Sequence, residues 1–110
     1  MEFLLFICND PTAPPYVPAE DNIQEWVTEM DARGIRHGGN RLRPADDATT
    51  VAVRDSNVIV SDGPFAETKD WIGGYDIVEC TDLDEAIEVA SKHEMARRGQ
   101  IEIRPMWPFE

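Results

Sequence analysis

Residues 61–79 read SDGPFAETKDWIGGYDIVE and place a turn, several charged groups and a Gly-Gly pair between two strand-like runs. Asp62-Gly63-Pro64 must leave the preceding strand sharply, because Gly63 can adopt a positive φ and Pro64 fixes its own φ. A proline also drives the residue before it out of the helical region. A polar segment of this kind often presents side chains over a cleft. The stretch therefore predicts a strand, a functional loop and a second strand that runs from Tyr75 to Cys80.

The N-terminal part predicts a central strand followed by a helix. The apolar run of Glu2–Asn9 (EFLLFICN) is continuous, as in a strand with neighbours on both sides, and the proline-rich residues 10–18 then form a linker. Asp21 and Gln24 have the spacing of a capping box at the start of an amphipathic helix. Gly34 has the position that ends such a helix.

The middle of the chain predicts three further extended segments. Ile35–Arg43 is extended but interrupted by glycines, and the runs Thr50–Arg54 and Asn57–Val60 flank a two-residue turn at Asp55-Ser56. Two short strands joined by two turn-forming residues are typical of a tight β-hairpin.

The C-terminal part predicts a second helix and a last strand. Asp82 and Glu85 form another capping box, and acidic residues crowd the first turn, where the helix dipole favours them. We expect a loop over 95–99 and a strand over Gln100–Pro105, in which apolar and charged residues alternate.

The order of these elements predicts an α+β fold, a ferredoxin-like sandwich whose antiparallel sheet carries two helices on one face. The other face of such a sheet is rich in isoleucine, valine and aromatic side chains and needs cover. Pairing of two copies through their sheets is the simplest way to bury it, so we expect a homodimer.

Composition limits the kind of protein. The 110 residues are 42% hydrophobic and 29% charged, which is typical of a single globular domain spanning 1–110. No apolar run is long enough to cross a bilayer, and Glu2 and Asp10 flank the first run where a signal peptide carries positive charge. We therefore expect a cytoplasmic protein in which Cys8 and Cys80 are reduced thiols.

The formal net charge of −12 argues against binding to nucleic acid or to an anionic membrane surface. An acidic surface of this kind serves solubility or attracts a basic partner. The sequence contains no Cys/His cluster with metal-ligand spacing, no phosphate loop and no dinucleotide fingerprint. We therefore expect neither a metal nor a cofactor.

Several stretches together carry a resemblance to a known family. They are FLLFICND, NRLRPADDATTVAVRDSNVIVSDGPFAETKDWIGGYDIVE, DLDEAIEVAS and IEIRP, and DGPFAETK is the most specific part. The chain resembles the DGPF-domain (YCII-related) family over its whole length. The resemblance implies a dimeric α/β barrel, in which two ferredoxin-like subunits pair sheet to sheet around a cavity. It also implies an active-site pair of His and Asp, and a regulatory or stress context linked to sigma factors.

Three residues are candidates for catalysis. Asp62 matches the aspartate of the family motif, although an Asp before Gly-Pro can also serve only its own turn. His37 lies among glycines and has an ordinary pKa near neutrality, whereas His93 at the end of the second helix reads as a helix-end cation. Glu67 can join Asp62 as a carboxylate pair, or form an exposed ion pair with Lys69.

Four residues are candidates for ligand binding. Arg43 and Arg104, together with Arg41, stand out because basic residues are scarce. An arginine that faces the expected dimer cavity can hold a carboxylate there, or it can pair with a surface acid. The Gly73-Gly74 pair predicts a bulge that directs the hydroxyl of Tyr75 toward that cavity. Lys69 completes the set.

These observations favour a small-molecule enzyme that carries out cofactor-independent acid/base chemistry of the isomerase or lyase type, with Asp62 as base and His37 as partner. A ligand-binding or regulatory module that uses the same cavity without turnover is the alternative. A protein-interaction subunit with an acidic docking surface is a third class.

Overall fold

The computed structural model describes residues 1–65 and 72–108. Six strands lie within this part of the chain: β1 (Glu2–Asn9), β2 (Arg36–Arg41), β3 (Thr49–Arg54), β4 (Asn57–Asp62), β5 (Ile72–Glu79) and β6 (Gly99–Pro105). It also contains three helices: α1 (Ile23–Ala32), α2 (Leu83–Ser91) and α3 (Met95–Arg98). Glu67 and Lys69, two of the residues singled out above, lie outside the described residues.

Four strands form the main sheet, in the order β2-β5-β1-β6, and every neighbouring pair is antiparallel. β1 lies between β5 and β6, as the continuous apolar run of its sequence predicted. The two halves, β1-α1-β2 and β5-α2-β6, interlock in this sheet. The predicted α+β, ferredoxin-like fold is therefore confirmed.

The core lies between one face of this sheet and the helices. Phe3, Leu5 and Ile7 of β1 alternate toward the helices and are almost fully buried. Trp26 and Met30 of α1 pack on them in a single cluster that also includes residues of β5 and α2. Each fully buried side chain of this size contributes roughly 1.5–3 kcal/mol, so this face holds the subunit together.

The helix ends follow the local sequence in two of three cases. Asp82 caps α2, with its Oδ1 accepting a hydrogen bond from the Glu85 amide at 2.9 Å. Gly34, at φ 70°, ends α1 in a Schellman motif, because the Ile35 amide reaches the Met30 carbonyl at 2.9 Å.

The predicted capping box at Asp21 and Gln24 is wrong. The N-cap of α1 is Asn22, and its side chain makes no capping hydrogen bond. The carboxylate of Asp21 accepts instead from the Ile23 amide at 2.9 Å and from the Tyr16 hydroxyl at 2.5 Å. These two local partners hold Asp21 outside the helix.

Residues 95–99, expected as a loop, contain the single-turn helix α3 and the first residue of β6. Glu94 explains this turn. Its carboxylate pairs with Arg97 and, at 3.1 Å, with Nε of Arg98, three and four residues further along. Ion pairs at these spacings stabilise a helical turn.

β3 and β4 form a separate two-stranded sheet, the hairpin predicted from Asp55-Ser56. Both turn residues have positive φ, 51° and 66°, as a type I′ turn requires. The cross-strand pairs Val51–Val60 and Val53–Val58 place four valines on one face, which we call the valine face. All four are exposed, by 57–68%.

Candidate functional site

A cavity of about 290 Å³ lies on the helix-covered face of the sheet, near the ends of β1, β2 and β5. Its apolar wall consists of Ile7, Ile23, Trp26, Val27 and Met95. Polar residues of β1, β2 and β5, and His93 after α2, also border it, among them Arg36 and Asp76. An apolar pocket with a few converging polar groups is the usual form of a small-molecule site.

Asp76 is a buried carboxylate in the middle of β5. It lies on the helix-covered face together with Gly74 and Val78, and it is only 7% exposed. Its strand neighbour is Gly39 of β2. A Cβ on Gly39 would lie 2.1 Å from Oδ1 of Asp76 and 2.5 Å from the Tyr75 carbonyl oxygen, so only glycine leaves room for the carboxylate there.

Arg36 holds one oxygen of this carboxylate. Its Nε donates to Oδ1 of Asp76 at 3.1 Å, and its guanidinium also reaches the Gly39 carbonyl at 3.4 Å. Burial raises the pKa of Asp76, and the hydrogen bond and charge of Arg36 oppose that rise. The second oxygen, Oδ2, points to another partner.

That partner is His93, which follows α2 and is 5% exposed. Its Nδ1 accepts a hydrogen bond from the Met95 amide at 2.9 Å, so the proton of the neutral ring resides on Nε2. Nε2 lies 3.7 Å from Oδ2 of Asp76, longer than a hydrogen bond. Trp26 packs edge-on against the ring, with centroids 4.6 Å apart.

The expectation that His93 is a helix-end cation is wrong. Its pKa is lowered to about 4, mainly by burial and to a smaller extent by the nearby charge of Arg36, whereas Glu94 and Asp21 oppose the shift. The ring is therefore neutral at pH 7 and can donate a hydrogen bond from Nε2. It cannot act there as a cation.

This geometry separates two chemical roles. Oδ2 of Asp76 is not held by Arg36 and can accept a proton from a bound molecule. Nε2 of His93 can donate a hydrogen bond to an oxygen of the same molecule. Both residues border the cavity.

The sequence candidates for catalysis lie elsewhere where the structure describes them. Asp62 is exposed at the end of β4, opposite Thr49, and does not border the cavity. His37 is at the bulge between Arg36 and Gly38, and its exposed ring contacts Glu2 at 3.1 Å. The bulge turns His37 away from the face that carries Arg36.

Two binding candidates lie on the open face of the sheet, opposite the helices. Tyr75 alternates with Asp76 and pairs with Phe6, so its side chain lies on this face although the residue borders the cavity. Arg104 pairs with Glu102 at 2.6 Å, and its guanidinium carbon lies 5.9 Å from the centre of the Phe6 ring. The predicted bulge is present, because the β1–β5 register skips Gly73.

Arg43 borders a second hollow of about 440 Å³ on that open side, next to Phe6 and Ile72. Its Nε donates to Asp47 at 3.0 Å, so this arginine already has a carboxylate partner. The structure thus brings none of the described sequence candidates together with Asp76 and His93.

Sequence reasoning missed Asp76, His93 and Arg36, although two of them leave a readable signal. Asp76 shares the two-residue period of Val78 and Cys80, so it occupies a core position of β5. His93 follows the buried Val89 by four residues, which is one helical turn. A charged or titratable side chain in a core pattern is the more informative observation.

Among the described residues, no group of three or more His, Cys, Asp or Glu side chains is placed to hold a metal ion. In the same part of the chain, no helix has the length and apolar character needed to span a membrane. Cys8 and Cys80 are free thiols.

Comparison with known proteins finds a similar sequence, a similar solved structure and a matching family model. One relative is an uncharacterized protein of Rhizobium meliloti (strain 1021), which is 40% identical over 68 residues. The match covers 60% of this chain and 55% of the relative, so the chain spans about half the length of that protein. A solved structure, a 5-chloro-2-hydroxyhydroquinone dehydrochlorinase from Burkholderia phenoliruptrix AC1100 in complex with 2,5-dihydroxybenzoquinone, aligns over 100% of this chain and 96% of its own, with 14% identity and a TM-score of 0.43. The family model of the YCII-related domain matches residues 1–110. The chain therefore belongs to the YCII-related family.

Proposed function

We propose that this protein is a small-molecule enzyme that transfers protons without a cofactor, with Asp76 as general base and His93 as hydrogen-bond donor. One observation carries the proposal. Oδ2 of Asp76 and Nε2 of His93 lie 3.7 Å apart, both side chains are buried, and both border a largely apolar cavity. Titratable groups with shifted pKa values in a cleft are typical of catalytic sites.

The reaction follows from the protonation states. Oδ2 of Asp76 takes a proton from an acidic carbon of the substrate, and the electron pair of that C–H bond moves onto an adjacent carbonyl oxygen. The Nε2 proton of neutral His93 stabilises this oxyanion by a hydrogen bond. Protonated Asp76 then returns the proton to a different carbon, which isomerises the substrate. When a leaving group is present, the same electron pair expels it, as in a lyase.

Arg36 has a positioning role in this scheme. Its hydrogen bond holds Oδ1, leaves Oδ2 free and keeps the buried carboxylate ionised more readily than burial alone would allow. Gly39 contributes the space in which the carboxylate sits. These residues prepare the base without contacting the substrate.

Proton abstraction can be measured before the natural substrate is known. We propose to incubate the protein in D2O with unsaturated lactones and cyclic 1,3-diketones, and to follow deuterium incorporation by NMR. Asp76→Asn keeps the shape but removes the base, so exchange should fall by roughly 10²–10⁴-fold. His93→Gln should lower it less, because it removes the oriented donor but keeps the base.

Asp62→Asn is the matched control, since it makes the same change at the exposed aspartate of the DGPF motif. Exchange that survives Asp76→Asn, or that is lost equally in Asp62→Asn, would contradict the assignment. Saturable binding of these molecules with no exchange in any variant would instead support a ligand-binding module, the second function considered from the sequence.

We also propose that the protein is a homodimer, in which a second copy covers the open face and the valine face. Leu4, Phe6 and Ile77 line the open face and are only partly buried. An isolated two-stranded hairpin is marginally stable in water, so β3 and β4 need a surface to pack on. Two apolar surfaces without cover in one chain favour self-association. We further propose that the protein is cytoplasmic, because thiols such as those of Cys8 and Cys80 stay reduced in that compartment.

A further inference from the structure

Arg41 differs from the other basic side chains of this chain. Seven of the nine described ones have a carboxylate partner: Arg33, Arg36, Arg43, Lys92, Arg97, Arg98 and Arg104. Arg54 donates to the Val53 carbonyl. Among the nine lysines and arginines within residues 1–65 and 72–108, only Arg41 makes neither an ion pair nor a side-chain hydrogen bond, although the chain has 22 acidic and 10 basic residues.

The backbone places Arg41 at the cavity. It is two residues from Gly39 on β2, so the two residues lie on the same face of the sheet. Gly39 is opposite Asp76, so this is the helix-covered face. The residue opposite it is Gly74, which has no side chain to fill the space. Two residues of a strand span roughly 7 Å. The backbone of Arg41 therefore lies about 7 Å along β2 from Gly39, the residue opposite Asp76.

The charge at the cavity has the opposite sign from the whole chain. Among the residues that the structure describes, the charged ones that border it are two arginines, Arg36 and Arg41, and one carboxylate, Asp76. With His93 neutral, two positive charges and one negative charge leave a net charge of +1, in a chain of net charge −12. A small anion is therefore attracted to this cavity and repelled by most of the remaining surface.

Asn9 adds a neutral donor at the same end. It borders the cavity, and its amide nitrogen lies 3.2 Å from where a Cβ of Gly73 would be. The side chain amide is therefore close to the bulge of β5, beside Gly74. An arginine and an amide at one end of an apolar pocket can together bind two oxygens of one planar group.

We infer that Arg41 binds the carboxylate of a small organic acid, whose apolar body lies against Trp26 and Val27 and whose reactive carbon lies at Asp76. The guanidinium fork of arginine matches the two oxygens of a carboxylate. The apolar wall favours an organic acid over inorganic phosphate or sulfate, which would leave that wall without contact. The inference rests on the proposed function in using the same cavity, and it adds the class of substrate.

A matched pair of probes tests the inference without turnover. Phenylacetate and phenylacetamide have nearly the same shape and differ in charge. We propose to titrate each into ¹⁵N-labelled protein and to obtain Kd values from the amide shifts. The wild-type protein should bind phenylacetate at least about tenfold more tightly than phenylacetamide, as expected for a charge-assisted hydrogen-bonded pair.

Arg41→Gln should abolish this preference by weakening phenylacetate about tenfold, with phenylacetamide unchanged. Arg41→Lys should restore part of it, because the charge returns without the planar fork. Arg43→Gln is the control, since that arginine is paired with Asp47 and does not border the cavity. A preference that survives Arg41→Gln, or no binding of either probe, overturns the inference.

Asp76→Asn separates this inference from the proposed enzyme. It should keep or strengthen phenylacetate binding, because it removes the negative charge of the cavity, and it should still abolish deuterium exchange. A carboxylate preference that depends on Arg41 in a protein without exchange activity would support the binding site and contradict the enzyme. Exchange without that preference would do the opposite.

Discussion

Burial keeps His93 neutral, and a single backbone amide fixes which ring nitrogen carries its proton. The Met95 N–H donates to Nδ1 of His93, and a doubly protonated ring would have to give up that bond. The ring is also surrounded by Trp26 and the core side of the sheet, where a positive charge is poorly solvated. Burial of the ring is the main reason that the pKa of His93 is lowered to about 4.

This shift predicts a pH dependence of stability. The pKa of histidine is 6.5 in the unfolded chain and about 4 in the folded protein. Above pH 6.5 neither state is protonated, so the full stability is present. As the pH falls toward 4, the unfolded chain binds a proton that the folded protein does not, and the free energy of unfolding should fall by about 3 kcal/mol.

Urea unfolding of the wild type and of His93→Gln at pH 7 and pH 4.5 measures this contribution. The variant should lose less stability than the wild type over this range, because its residue 93 does not titrate. His37→Gln, at the other histidine, should behave like the wild type. Equal losses in wild type and His93→Gln would show that the folded pKa of His93 is not depressed.

At the scale of the element, α2 positions His93, and the start of α2 depends on Asp82. Its carboxylate accepts a hydrogen bond from the Glu85 amide, while the Glu85 carboxylate accepts one from the Thr81 amide at 2.9 Å. Trp26 connects α1 to the same helix, since its indole N–H donates to the Val89 carbonyl at 2.9 Å. Fraying of the first turn of α2 therefore weakens the helix that leads into His93 and contacts Trp26.

Asp82→Ala removes this cap and should lower the free energy of unfolding by about 1 kcal/mol, measured by urea denaturation. Asp84→Ala is the matched control, because Asp84 lies in the same first turn but caps no amide in the contacts described. A similar loss in both variants would mean that the charge at the helix start matters and the cap does not.

At the scale of the whole molecule, the chain is extended for its length. Its radius of gyration is 16.0 Å, against roughly 13 Å expected for a compact chain of this size. The hairpin of β3 and β4 is a sheet of its own with an exposed valine face. A surface of this kind needs a partner, which is the physical basis of the proposed homodimer.

The hairpin offers a matched pair of substitutions for testing the dimer. Val58→Lys places a charge on the valine face, whereas Ile59→Lys places it on the opposite face of the same strand. Native mass spectrometry should show a wild-type dimer of about twice the 12.4 kDa chain. Val58→Lys should shift it toward monomer and Ile59→Lys should not.

A wild-type monomer would contradict the dimer altogether. A dimer that is equally stable in both variants would remove the hairpin from the interface and leave the open face as the only proposed contact.

Features that depend on neighbouring residues were predictable from the sequence. The turn at Asp55-Ser56, the helix end at Gly34 and the cap at Asp82 are as predicted, because each is decided by a few consecutive residues. The bulge at Gly73 belongs to the same group. The box at Asp21 failed because Tyr16 and Ile23 offered its carboxylate other hydrogen bonds.

The sequence alone determined the class of fold and the order of all its elements except α3, since hydrophobic periodicity and turn chemistry are local, and its motifs indicated the family. Only the tertiary structure decided the site. Arg36 and Asp76 are 40 residues apart, and their contact exists because β2 pairs with β5 in one register. A shift of one residue would turn Asp76 to the open face, away from His93. Burial alters the pKa values of Asp76 and His93, and it arises only when distant segments of the chain pack together.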